Sequence, residues 1–347
     1  MPRTETFPRR TALIPLRKTA PIVLLAAFAA LVLVTPLTGN KYWMSFLFFL
    51  FLAIVLTETF DIVNGYMGYI NLGHTAFFGI GAYVYGIIVL RDGGPLLGIV
   101  LASLGSALFA ALIAVPLFRL RGAYFAIATF GVLKLMEILA SNLTDITGGT
   151  TGLSIPPTNS TFITFYSAAV LCLAAILLNA WVANSRLGLG LLTIREDEDV
   201  AEGAGVNTAL LKHSVLVLSS VLPSIAGALY MWQTTYIDPA SSFGAHTAFA
   251  PVIMAMLGGA GTVVGPVVGA IFLTGAEDGL WSQFGYLQLT MYGVVLVCIG
   301  IFMPGGLSRS PAFSRLYASA GLGNHYGYQP SRSLSNRVRE NPKRKEH

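Results

Sequence analysis

Apolar runs of about twenty residues follow one another along this chain, separated by short polar connections. A helix that crosses a bilayer needs roughly 20 mostly apolar residues. The pattern predicts such helices at 21–38, 43–63, 68–90, 96–118, 122–142, 161–183, 212–234 and 287–303. The first run has basic flanks (Arg9, Arg10, Arg17, Lys18), as a signal peptide does. No clear small-x-small cleavage site follows it and another run begins at once, so it reads as an uncleaved anchor. The stretch from Phe243 to Leu280 is apolar but interrupted by Gly258, Gly259, Gly261, Gly265 and Pro266.

Charge decides how that stretch is counted. The residues after Met303 carry eight Lys and Arg (Arg309, Arg315, Arg332, Arg337, Arg339, Lys343, Arg344, Lys345) against Glu340 and Glu346, and the N-terminus is basic too. Basic ends belong in the cytoplasm, which requires an even number of crossings. Dividing the stretch into a half-helix at 246–258 and a span at 263–280 supplies it. Segments 143–160 and 235–247 contain no Lys or Arg and fall outside, whereas Arg119, Arg121, Arg186, Arg195 and Lys212 fall inside. The expected architecture is all-α, a polytopic transmembrane bundle of about ten crossings with Gly/Pro-broken helices. Residues 1–20 form a cytoplasmic basic N-terminus, 21–303 the membrane domain, and 304–347 a cytoplasmic basic tail whose Ser, Asn, Arg and Pro content predicts disorder.

Composition agrees with lipid as the solvent. Hydrophobic residues make up 54% of the chain and charged residues 11%, too few to clothe a soluble surface. The 37 glycines suit helices that approach closely. A net charge of +5 does not point to nucleic acid, because the basic residues sit at the ends and in short connections. Cys172 and Cys298 each lie within an apolar run without metal-ligand spacing, and read as small packing residues.

Catalytic signatures are missing. The chain has no GxxxxGK[ST] phosphate loop, no HExxH and no GxSxG, and its histidines (His74, His213, His246, His325, His347) form no cluster. Transport, signalling or a scaffold remain.

Three internal segments stand out. The loop 184–211 gathers Arg195, Glu196, Asp197, Glu198, Asp199 and Glu202 ahead of Gly203 and Gly205. Its early acids and later apolar residues predict a short amphipathic helix stopped at Gly205. Such a helix either presses into a groove on a soluble partner or is a solvated connection. Residues 65–86 hold six glycines around the polar Asn71, His74 and Thr75; broken helices of this kind line transport paths or serve close packing. GGAGTVVGPVVGA at 258–270 is a second interrupted stretch in the later half of the chain. Lys134 and Glu137, three apart in one span, share a helix face and neutralise each other, or else give the pathway a polar lining.

Six segments in order, NGYMGYINLGHTAFFGIGAY (64–83), RLRGAYFAIATFGV (119–132), TGGTTGLS (147–154), SRLGLGLLTIREDEDVAEGAGVN (185–207), AGALYMWQTTYIDPASSFG (226–244) and LGGAGTVVGPVVGA (257–270), resemble the LivM-type permease subunit of bacterial branched-chain amino acid ABC importers. The resemblance implies a multi-pass subunit of the cytoplasmic (inner) membrane, with both termini cytoplasmic. It would pair with a second homologous permease subunit. Two cytoplasmic ATPase subunits would hold the ATP and magnesium, so this chain binds no cofactor, and a periplasmic or lipid-anchored solute-binding protein would deliver the solute. The loop becomes the coupling element to an ATPase, through Arg195, Glu196, Asp197, Glu198, Ala201, Glu202, Gly205, Val206 and Asn207. The translocation path is assigned to Asn71, Gly73, His74, Thr75, Gly148, Gly149, Gly258, Gly259, Gly261, Gly265 and Pro266. The family also branches to urea and short amides. From another class, the competing expectation is a stand-alone secondary carrier that uses Glu137 or Asp61 for ion coupling.

Overall fold

A computed structural model describes residues 28–37, 39–157 and 161–278, together with Thr290, Val294 and Val297. Apart from those three residues the expected span 287–303 lies outside the described residues, as do Cys298, the N-terminus 1–20 and the tail 304–347.

The helices run in the order α1 (Phe28–Leu37), α2 (Lys41–Asp61), α3 (Thr75–Leu90), α4 (Pro95–Leu117), α5 (Ala123–Asn142), α6 (Thr144–Thr147), α7 (Thr161–Asn184), α8 (Arg186–Glu196), α9 (Glu198–Gly203), α10 (Thr208–Thr234), α11 (Pro239–Phe243), α12 (Ala245–Gly258) and α13 (Gly265–Ala276). A π-helical turn, Ile62–Tyr66, extends α2. Among the described residues six stretches are long and apolar enough to cross a membrane: Lys41–Tyr66, Pro95–Leu117, Ala123–Asn142, Thr161–Asn184, Thr208–Thr234 and Pro239–Gly258. Three further apolar helices, α1, α3 and α13, are shorter. The chain is thus a multi-pass helical membrane protein, and the count of ten crossings rests partly on residues beyond those described.

The helix ends follow local chemistry. Asn40 accepts the Tyr42 amide at 3.0 Å to open α2, Pro95 begins α4, and Asn207 accepts the Leu210 amide at 3.0 Å to open α10. Each gives a first-turn amide a partner, or has none to satisfy, as such positions require. Expectation and structure part at 68–90. The apolar run there suggests one span, but α3 begins only at Thr75, because Gly68 takes φ +79° and the Asn71 side chain accepts the Gly73 amide at 3.1 Å. The remaining 16 residues span only about 24 Å at 1.5 Å per residue.

Packing depends on small residues. On α4, Ala102, Ser106, Ala110 and Ala114 recur every four positions and are fully buried, while Leu104, Leu108 and Leu112 point outward. The buried stripe meets α10, where Ser224 donates to the Ala102 carbonyl at 2.8 Å and Ser106 donates to the Ser220 carbonyl at 3.3 Å. Helix α3 packs as closely on α10. A Cβ at Gly81 would overlap the Ser224 carbonyl, and one at Gly227 the Phe78 carbonyl. Small-residue contact of this kind is how membrane helices associate without a hydrophobic drive between them. At the centre, α2 buries Phe48, Phe51, Ile54 and Val55 against α7, whose Cys172 is fully buried and unpaired. A two-residue antiparallel ladder, β1 (Leu153–Ser154) against β2 (Tyr236–Ile237), ties the α6–α7 and α10–α11 connections together.

Candidate functional site

The loop 184–211 folds into two helices where one was expected. Ser185 caps α8 by accepting the Gly188 amide at 3.2 Å, and Asp197 breaks the chain at φ −162° before capping α9 through the Asp199 and Val200 amides at 2.9 and 3.1 Å. Two glycines that read as loop residues instead permit α8 to dock. A Cβ at Gly188 would overlap the Val182 carbonyl, and one at Gly190 would press Leu211. Gly205, at φ +85°, ends the segment as expected.

Glu198 holds this pair of helices to the bundle. Its carboxylate accepts from the Lys212 ammonium of α10 and from the Tyr69 hydroxyl at 2.6 Å, with Arg121 Nε at 3.5 Å. Lys212 is 4% exposed, and its ammonium sits 5.7 Å and 5.6 Å from the centres of the Tyr69 and Phe118 rings. Burial opposes the charged carboxylate, but the hydrogen bonds from Lys212 and Tyr69 and the charges of Lys212 and Arg121 outweigh it. The Glu198 carboxyl is held below its ordinary value. Arg121 also reaches Asp199 at 3.0 Å.

The remaining coupling candidates divide by exposure. Ala201 is buried and Val206 half-buried, whereas Glu196, Asp197, Glu202, Gly205 and Asn207 are exposed. Val200, absent from the expected set, is 67% exposed at the tip of α9. A mostly apolar groove of about 430 Å³ runs between α8 and α9, lined by Leu189, Leu192, Val200, Ala201, Ala204 and Val206 together with Arg195, Glu196 and Asp197.

Arg195 belongs to both sides. Its backbone lies at the end of α8, and its guanidinium donates to the Gly65 carbonyl in the π-turn. Asp61, fully buried one turn earlier, accepts the Gly261 amide on both oxygens, at 2.9 and 3.0 Å. The glycines are sterically required. A Cβ at Gly65 would overlap the Gly261 amide and the Asp61 carboxylate, and Gly261 takes φ +79° with its Cβ direction 2.9 Å from the Gly65 carbonyl. One junction therefore joins α8, the end of α2 and the α12–α13 break. Nearby, Asn179 of α7 donates to the buried Glu58. Arg195 and Gly261 were legible as candidates, whereas Asp61 and Gly65 were not assigned to the site. Their signal was a carboxylate in an apolar run, four residues before a glycine.

The path candidates pack in separate places. Asn71, His74 and Thr75 are buried, with His74 Nε2 3.0 Å from the Thr59 hydroxyl and its ring between Phe60 and Phe77. Leu72 donates its amide to Thr129 of α5 at 3.1 Å, and a Cβ at Gly73 would strike the Thr129 carbonyl. Gly148 and Gly149, at φ +75° and +60°, shape the turn before β1. Gly258 meets the Gly265 carbonyl without room for a Cβ, Gly259 turns the chain at φ +111°, and Pro266 opens α13, so these three with Gly265 form the α12–α13 hairpin. Among the described residues no group of three or more His, Cys, Asp or Glu side chains gathers to hold a metal ion.

Comparison with known proteins gives a consistent set. The family model described as branched-chain amino acid transport system / permease component matches residues 44–300. The high-affinity branched-chain amino acid transport system permease protein LivM of Salmonella typhimurium is 29% identical over 286 residues, 73% of this chain and 67% of its own. LivM of Escherichia coli K12 is 28% identical over the same shares. The LivH permease of Escherichia coli K12 is 25% identical over 291 residues, 74% of this chain and 91% of its own. No solved structure matches.

Proposed function

The chain belongs to the branched-chain amino acid transport system permease family, and from that premise we propose that it is a membrane-spanning subunit of an ATP-driven importer that moves branched-chain or related amino acids inward. A permease of this kind is not an enzyme. Here ATP and magnesium belong to two cytoplasmic ATPase subunits, a second homologous permease completes the membrane part, and a periplasmic or lipid-anchored binding protein delivers the solute. The chain sits in a bacterial inner membrane with both termini in the cytoplasm, in keeping with the basic connections on that side.

One observation carries the mechanism: the junction in which Arg195 binds the Gly65 carbonyl while Asp61 binds the Gly261 amide. An ATPase that grips the exposed surface of α8 and α9 moves Arg195. That motion passes to the π-turn of α2 and, through Asp61, to the α12–α13 hairpin. Rigid helices rocking on such contacts give alternating access. Glu198 keeps α9 in register with α10, so the load reaches the bundle without the loop unfolding. The exposed acids Glu196, Asp197 and Glu202, with Gly205, Val206 and Asn207, frame the contact, and Val200 is its apolar centre.

Co-purification tests the assignment. Val200→Asp alters only an exposed side chain, so this chain should reach the membrane at its normal level and lose its ATPase subunits. Retention of the ATPases, with binding-protein-stimulated ATP hydrolysis unchanged, would refute the coupling role.

A further inference from the structure

Phe130, Lys134, Glu137 and Ser141 recur along α5 at spacings of four, three and four, which places them in one stripe down the helix. Lys134 Nζ lies 2.5 Å from a Glu137 oxygen and 5.7 Å from the centre of the Phe130 ring, and Phe130 stacks on Phe249 of α12 with ring centres 6.0 Å apart. The two charged side chains are 37% and 26% exposed. Lys134 lies eleven residues beyond Ala123, the first residue of α5, or about 17 Å along it at 1.5 Å per residue. That is close to the middle of a hydrocarbon layer about 30 Å thick.

An ion pair left half-open at that depth does not suit lipid; charges within spans face the protein interior or a water-filled cavity. Within this chain neither charged side chain is closed over by a neighbouring helix. The pair sits at one edge of the exposed apolar face formed by Tyr124, Ile127, Leu135 and Ile138, Ile127 lying seven residues before Lys134 and Ile138 four after it. The polar flank thus borders the apolar face on one helix. The polar flank meets α12, one arm of the broken hairpin, at Phe130.

We propose that Lys134 and Glu137 line the aqueous path and are the polar contact for the passing solute, Lys134 meeting its carboxylate and Glu137 its ammonium. The inference rests on the importer reading above and names the site within it. A zwitterion suits the pair because each member exchanges one partner for another of the same sign, so no charge is left uncompensated in the empty or the occupied state. The adjoining Phe130 and Phe249 rings offer apolar surface to an aliphatic side chain.

The test uses the complete importer in liposomes with radiolabelled leucine. Lys134→Met and Glu137→Gln each leave an unpaired charge and should slow uptake whatever the pair does, so the double variant Lys134→Met/Glu137→Met is the informative one. The double variant should remain about tenfold or more below wild type in uptake, while binding-protein-stimulated ATP hydrolysis stays within about twofold. Recovery of wild-type uptake in the double variant would show a packing pair and overturn the proposal, leaving the importer reading intact. A wild-type complex without ATP-driven leucine uptake would remove both. If the double variant does not assemble, thiol labelling decides. Glu137→Cys should react with a water-soluble reagent about tenfold faster than Leu135→Cys and be protected by solute with its binding protein, whereas equal rates would overturn the proposal.

Discussion

Asp61 receives the Gly261 amide on both carboxylate oxygens, at 2.9 and 3.0 Å, across 200 residues of sequence. A short polar contact thereby joins the end of the central helix to the turn of the α12–α13 hairpin, and Arg195 joins the same turn of α2 to the α8–α9 loop. A typical intramolecular hydrogen bond contributes about 0.5–1.5 kcal/mol. Asp61→Ala should therefore lower the thermal stability of the purified complex and cut uptake more than it cuts ATP hydrolysis. Asp61→Asn, which keeps one acceptor, should fall between. Unchanged coupling in Asp61→Ala would mean that the junction transmits nothing.

The close approach of α3 to α10 gives a steric prediction. Gly81→Ala and Gly227→Ala would each drive a methyl into a backbone carbonyl, and overpacking typically costs about 1–3 kcal/mol. Both should reduce the amount of folded protein in the membrane. Gly105→Ala and Gly131→Ala meet no atom within 4 Å and should leave it unchanged. Fluorescence-detected size-exclusion profiles of the four variants separate the two classes.

Neither the junction nor the helix contacts follow from periodicity. Apolar run lengths located α2, α4, α5, α7 and α10 to within a few residues, because membrane thickness sets span length. The pattern misjudged 68–74, where the residues stay apolar enough for a span while Gly68 and the Asn71 turn break the helix. It also missed α8, since Gly188 and Gly190 read as loop until the Val182 carbonyl and Leu211 beside them are seen. Within the loop, the acidic cluster was legible but its direction was not. Glu198 turns inward to Lys212 and Tyr69, and the exposed tip belongs to Val200. A partner 200 positions away, as Gly261 is for Asp61, leaves no local trace.

Glu198 makes a prediction about pH. Its folded-state value is held below the ordinary one, so its contribution is complete above the unfolded carboxyl value, about 4.3. It is lost only as pH falls below that, through the folded value. Hydrogen exchange of the α9 amides should stay equally slow from pH 7 to pH 5 once the intrinsic rates are divided out. Removing the Tyr69 hydroxyl with Tyr69→Phe should weaken the docking by about 1.5–3 kcal/mol and speed α9 exchange at all of these pH values. Loss of α9 protection in the wild type between pH 7 and pH 5 would contradict the depressed carboxyl.

The claim on which the rest stands is that ATP hydrolysed on other subunits drives uptake through this chain. Reconstituting the complete complex in liposomes, with the ATPases inside and the binding protein outside, measures this directly. Labelled leucine should accumulate only when ATP is enclosed and the binding protein is present, and a proton or sodium gradient should not replace the ATP. Accumulation by this chain alone, driven by an ion gradient without ATP, would contradict the account and make it a secondary carrier.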